Sequence, residues 1–84
     1  MITMDCYHAG KHLRLDYDVT IDEGFIQYFG TLHSLPPEIF CFIVAEETGT
    51  MVVFAPNNAE KSIREIIIDS VTKNEARLKH RSGL

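Results

Sequence analysis

The residues best suited to bind a metal or attack a substrate sit near the N-terminus. Cys6-Tyr7-His8 is followed by His12. Zinc takes thiolate and imidazole ligands, and residues i and i+2 share one strand face, so Cys6 and His8 are the metal-like pair. A structural site needs four ligands, and no second motif supplies the rest unless His33 or Cys41 comes near. Cys6 reads better as a small buried hydrophobe than as a ligand, since the ligand count fails first. Cys41 could pair with a histidine as a nucleophile, but it lies between Phe40 and Phe42. Burial there would raise its thiol pKa and leave it inert. Asp16, Asp18, Asp22 and Glu23 offer carboxylates to a hard cation, without the glycine and downstream glutamate of an EF-hand. The sequence therefore predicts no catalytic residue, no enzyme and no cofactor.

Charge divides the chain. Residues 1–60 carry two basic side chains against nine acidic ones, and residues 61–84 carry six basic against three acidic. An acidic body repels nucleic acid, so only Lys73, Arg77, Lys79 and Arg81 could touch it. The six basic residues of 61–84 are interrupted by three acids and lack interleaved aromatics, which makes a weak stripe and nucleic acid an unfavoured partner. Asp5, Asp16 and Asp18 form an acidic surface that could face a basic partner protein.

These residues have to be positioned by one domain of 84 residues, because the length excludes two. A chain this short buries only about 60–65% of the surface its unfolded form exposes, so oligomerisation would help it. The longest apolar run, Ile39 to Ala45, has seven residues, whereas a membrane span needs about 20. Asp5 and His8 interrupt the start, and no leader-like apolar region follows. With two cysteines, this reading expects a soluble chain in a reducing, cytoplasmic compartment.

Residues 2–19 alternate as a hairpin around Ala9-Gly10. Pairing Asp5 with Arg14, Tyr7 with His12 and Thr3 with Asp16 collects Ile2, Met4, Cys6, Leu13, Leu15 and Tyr17 on one face. Thr20-Ile21-Asp22-Glu23 has the form of a capping box. Ile21, Phe25, Tyr28, Phe29, Leu32 and Leu35 follow at helical spacing, and Pro36-Pro37 ends the segment. The alternation Phe25-Gln27-Phe29 also permits a strand, and Gly24 and Gly30 weaken the helix. Residues 39–46 and 50–55 read as a second hairpin around Glu47-Thr48-Gly49. A last helix begins after Pro56, capped by Asn57 or Asn58, and ends in a basic tail at about 73–84.

The expectation is an α+β domain of order ββαββα: a four-stranded antiparallel sheet from two hairpins, with two helices. Both faces of the second hairpin are apolar, more than one helical layer can cover. Phe40, Phe42, Met51, Val53 and Phe54 are the expected protein interface. The function expected is that of a small non-enzymatic protein-binding module, an adaptor, regulator or inhibitor acting as a homodimer. The alternative is a metal- or nucleic-acid-binding regulator using Cys6 and His8 or the basic tail.

Overall fold

The alternation of residues 2–19 builds the first hairpin in the expected register. In the computed structural model, which describes residues 1–82, β1 (Ile2–His8) pairs antiparallel with β2 (Lys11–Asp22). Asp5 lies opposite Arg14, Tyr7 opposite His12 and Thr3 opposite Asp16. Ala9 and Gly10 close the loop at φ of 52° and 76°. Both are left-handed, the turn geometry that matches the twist of paired strands.

The next segment departs from expectation. Residues 20–35 form no helix. β2 runs on to Asp22, a two-residue turn follows at Glu23 (φ 47°) and Gly24 (φ 85°), and β3 (Phe25–Leu32) returns antiparallel. Thr20-Ile21-Asp22-Glu23 is thus a strand end and a turn, not a cap. Two features favour the strand. The turn needs Gly24 where only a left-handed backbone fits. Gly30 lies directly opposite Tyr17, so close that a Cβ built there would overlap the Asp16 carbonyl. Helical spacing had mixed two groups that the pleat separates: Ile26, Tyr28 and Leu32 on one face, Phe25, Gln27 and Phe29 on the other.

β3 then pairs with β4 (Glu38–Ala45), and β4 with β5 (Met51–Ala55). The result is a five-stranded antiparallel meander in sequence order, followed by one helix, α1 (Lys61–Ser82). The fold is βββββα, and the expected four strands and two helices are replaced by five and one. Asn57 and Asn58 belong to the turn before the helix. The Glu60 carbonyl accepts the first helical bond, from the Arg64 amide, at 2.9 Å. The expected tail is the second half of α1, and its last two residues lie outside the described ones. No described helix is long and apolar enough to cross a membrane.

The core lies between α1 and one sheet face. Cys6, Leu15, Tyr17, Leu32, Phe40, Phe42 and Phe54 are buried there against Ile67 and Val71. Phe42 is the hub, with ring centroids 4.9 Å from Tyr28, 5.9 Å from Phe54 and 6.2 Å from Phe40. Hydrogen bonds tie helix to sheet. The Tyr17 hydroxyl donates to Glu75 Oε2 at 2.7 Å and accepts from Asn74 Nδ2 at 2.9 Å. Arg77 in turn donates to Asn74 Oδ1 at 2.6 Å.

The two tight turns offer a test of this geometry. Ala9 and Glu23 both hold a left-handed conformation that disfavours a side chain and that asparagine tolerates better. Ala9→Asn and Glu23→Asn should each stabilise the protein by about 0.5–1 kcal/mol. The urea midpoint measures this; unchanged midpoints in both variants would contradict the turn assignment.

Candidate functional site

A single helix covers one face of the sheet and leaves the other open. The pleat sends Thr3, Asp5, Tyr7, His12, Arg14, Asp16 and Asp18 to the open face from β1 and β2. From β3, β4 and β5 it sends Phe25, Gln27, Phe29, Ile39, Cys41, Ile43 and Val53. A bulge at the start of β5 turns Val52 to the same side, where it lines a shallow depression with Phe25, Gln27 and Ile43. The open face is therefore half polar and half apolar, divided along the β2–β3 boundary. Ile39 is 77% exposed, Val52 55%, and Phe25 and Val53 47% each. Exposed large apolar side chains on adjacent strands are what a contact surface looks like before it is occupied.

This placement corrects the expected interface. Phe40, Phe42 and Phe54 point the other way, into the core beneath α1. They alternate with the exposed set, so a one-residue difference in facing decides their role. Met51 pairs with Val44 and sits on the helix side of the sheet, at its rim. Val53 alone of the five lies on the open face. Phe25, Ile39, Ile43 and Val52 were missed. Alternation alone could have found Ile39 and Ile43, while Phe25 was hidden by the helical reading of its segment.

The acidic residues are on the open face but are largely spoken for. Asp5 contacts His12 Nε2 at 3.2 Å, and Asp18 contacts the N-terminal amine at 3.2 Å. Asp16 is buried, with His33 Nε2 at 2.7 Å and Arg14 Nη2 at 3.5 Å from its Oδ2. The His33 hydrogen bond holds the Asp16 carboxyl below the ordinary carboxylate range; burial opposes it and the Arg14 charge adds to it. His33 follows β3, so its meeting with Asp16 depends on the β2–β3 pairing that the sequence reading lacked.

Cys6 and His8 share the helix-side face, and His12 faces the opposite way. Cys6 is buried, and burial pushes its thiol pKa up. Among the described residues no three histidine, cysteine or acidic side chains gather closely enough to hold a metal ion. Cys41 is half-buried on the open face, where Gln27 Nε2 lies 3.3 Å from its sulfur. In the basic half of α1, Lys73 pairs with Asp69 at 3.0 Å and Arg77 with Asn74. The side chain of Arg81 lies outside the described residues.

The chain matches no protein-family model, no curated protein and no solved structure. The site must therefore be read from its own geometry. It is an apolar strip three strands wide beside a row of polar and charged side chains.

The Asp16 carboxylate makes one part of this face pH-sensitive. Its folded pKa is below the unfolded value, so its contribution is present above the ordinary value of 3.8 and is lost as pH falls through the lower folded one. Wild type should lose stability between pH 4 and pH 2.5 more steeply than Asp16→Asn. Urea midpoints at both pH values measure this; parallel losses would show that Asp16 is not held by His33.

Proposed function

We propose that this protein acts by protein–protein contact, as a homodimer joined through the open sheet face. The observation that carries this reading is the uncovered strip of Phe25, Phe29, Ile39, Ile43 and Val53 on three neighbouring strands. A flat apolar strip left in water invites association, and a small domain has the most to gain from covering it.

A second copy suits the strip better than an unrelated partner. A twofold axis parallel to β4 lays β3, β4 and β5 of one protomer over β5, β4 and β3 of the other. Apolar strip then meets apolar strip, in a closed, self-complementary contact. The same operation carries β1 and β2 outward on both sides, so Asp5, Asp16 and Asp18 are not stacked on their own copies. A twofold across the strands would stack them.

The size is adequate. The molecule measures 34 × 30 × 19 Å. Three-fifths of the broad face is roughly 600 Å² per partner, above the ~400 Å² of incidental contacts and near the ~800 Å² of a standard interface. The paired charges on β1 and β2 would form the polar rim that such interfaces carry.

Ile39→Asp and Val53→Asp test this, since both positions are exposed in the protomer and neither belongs to the core. Each substitution enters a symmetric interface twice and should raise the dimer dissociation constant about a hundredfold or more. Native mass spectrometry and sedimentation should show dimers for wild type and folded monomers for both variants, with cooperative thermal unfolding retained. Phe42→Asp should instead abolish folding, because Phe42 is core. A wild-type monomer at about 100 µM, a concentration at which even weak dimers form, would refute the homodimer.

A further inference from the structure

The helix that leaves one face open also fails to close the other completely. α1 runs along β1, with its first half near His8 and its second near Thr3, Met4 and Asp5. From its N-terminal half, Ile63, Ile66 and Ile67 join the core that holds Leu15, Leu32, Phe40 and Phe54. At the opposite end, where the β2–β3 and β4–β5 turns lie, the sheet extends past the helix. A cleft of about 490 Å³ remains there. The sheet supplies Tyr28, Phe42 and Val44, and the helix supplies Ile68, Glu75 and Lys79.

The cleft has the composition of a small-molecule site: mostly apolar walls, with few polar groups held in place. Its volume falls within the roughly 300–1,000 Å³ such sites occupy. Glu75 is its fixed polar point. One carboxylate oxygen accepts from Tyr17, which Asn74 and Arg77 hold in turn. The other oxygen has no hydrogen-bond donor among the described residues. No described cation lies within ion-pair distance of Glu75. Lys73 is committed to Asp69, and Lys79, one turn further on, stays exposed at the mouth. The ring of Tyr28, stacked on the buried Phe42, forms the adjacent wall. Glu46 adds a second acid at the rim. Burial and the charge of Glu75 both push the Tyr28 hydroxyl pKa up, as expected of an anion close to that wall.

We propose that this cleft binds a small organic cation with an apolar body, its ammonium group on the Glu75 oxygen that Tyr17 leaves unused and its body against Tyr28, Ile26 and Val44. Apolar walls alone would accept any ligand of the right size. The anchored carboxylate, unpaired among the described residues, selects for positive charge, because a neutral or anionic isostere leaves it desolvated without a partner.

Three ligands of one shape separate these cases: tryptamine, its neutral alcohol analogue indole-3-ethanol, and indole-3-propionate. Each is titrated into the isotopically labelled wild-type protein and followed by amide chemical shifts. Tryptamine should bind at least tenfold more tightly than the alcohol, with propionate weakest. The shifts should centre on Tyr28, Val44, Thr72 and Ala76. Glu75→Gln keeps an acceptor for Tyr17 and should weaken tryptamine at least tenfold while leaving the alcohol unchanged. Equal binding of all three, shifts centred elsewhere, or no tryptamine binding at 5 mM would overturn the proposal. So would a folded Glu75→Gln protein with undiminished tryptamine affinity. The wild-type ligand series decides the matter even if that variant does not fold.

Discussion

One helix has to cover five strands. A sheet about 24 Å across, at roughly 4.8 Å per strand, meets a helix about 10 Å in diameter. The helix can fill only part of one face, and it does so where Cys6, Leu15, Tyr17 and Leu32 come up from the sheet to meet Ile67 and Val71. The aromatic cluster around Phe42 extends that layer sideways, and large rings cover area that a second helix would otherwise fill. The remaining apolar surface follows from this mismatch. It includes the strip on the far side and the cleft on the near side.

The position of the helix rests on a polar contact inside an apolar layer. Tyr17 is 1% exposed and Asn74 4%, yet each polar tip has a partner. A buried hydroxyl or amide without one would cost on the order of 1–3 kcal/mol, so other helix placements are disfavoured by more than lost packing. A slide of one turn along the sheet would preserve much of the Ile67–Val71 stripe but break the Tyr17–Asn74–Glu75 bonds. Gly30 serves the same arrangement from beneath. With no side chain, it leaves the space beside Tyr17 unobstructed and lets its strand approach the β2 backbone closely.

The first hairpin was fully legible in the sequence because its two faces differ in chemistry. Apolar residues at Ile2, Met4, Cys6, Leu13, Leu15 and Tyr17 against charged ones between them leave one register. Residues 20–32 were not legible by the same rule. Both faces of that segment carry aromatics, so the two-residue period is weak, and the polar run Thr20–Glu23 imitates a helix start. The competing signals were the glycines. Gly24 fits a left-handed turn, and Gly30 fits a close strand approach; in a helix both are only costs. The second hairpin showed a two-sided apolar surface but not its facing. Which of Phe42 and Ile43 is core depends on the side α1 takes, and α1 is set by Tyr17 and Asn74, far away in sequence. His33 meeting Asp16 was invisible for the same reason.

The two open apolar regions differ in one respect that separates their roles. Around the far strip, the acidic side chains have near neighbours: Asp5 beside His12, Asp16 beside His33 and Arg14, Asp18 beside the N-terminal amine. Acids held by contacts on their own sheet stay in place beside the strip, and burial of the apolar side chains is what would drive a contact there. In the cleft, Glu75 is held by the Tyr17 hydrogen bond and has no cation within ion-pair distance among the described residues. Hydrogen bonds from a tyrosine fix a carboxylate in place but do not neutralise it, so its field remains available to whatever enters. The first arrangement suits a large, flat contact such as the second copy proposed above. The second favours a small ligand chosen by sign, and the division follows from which side of the sheet the single helix occupies.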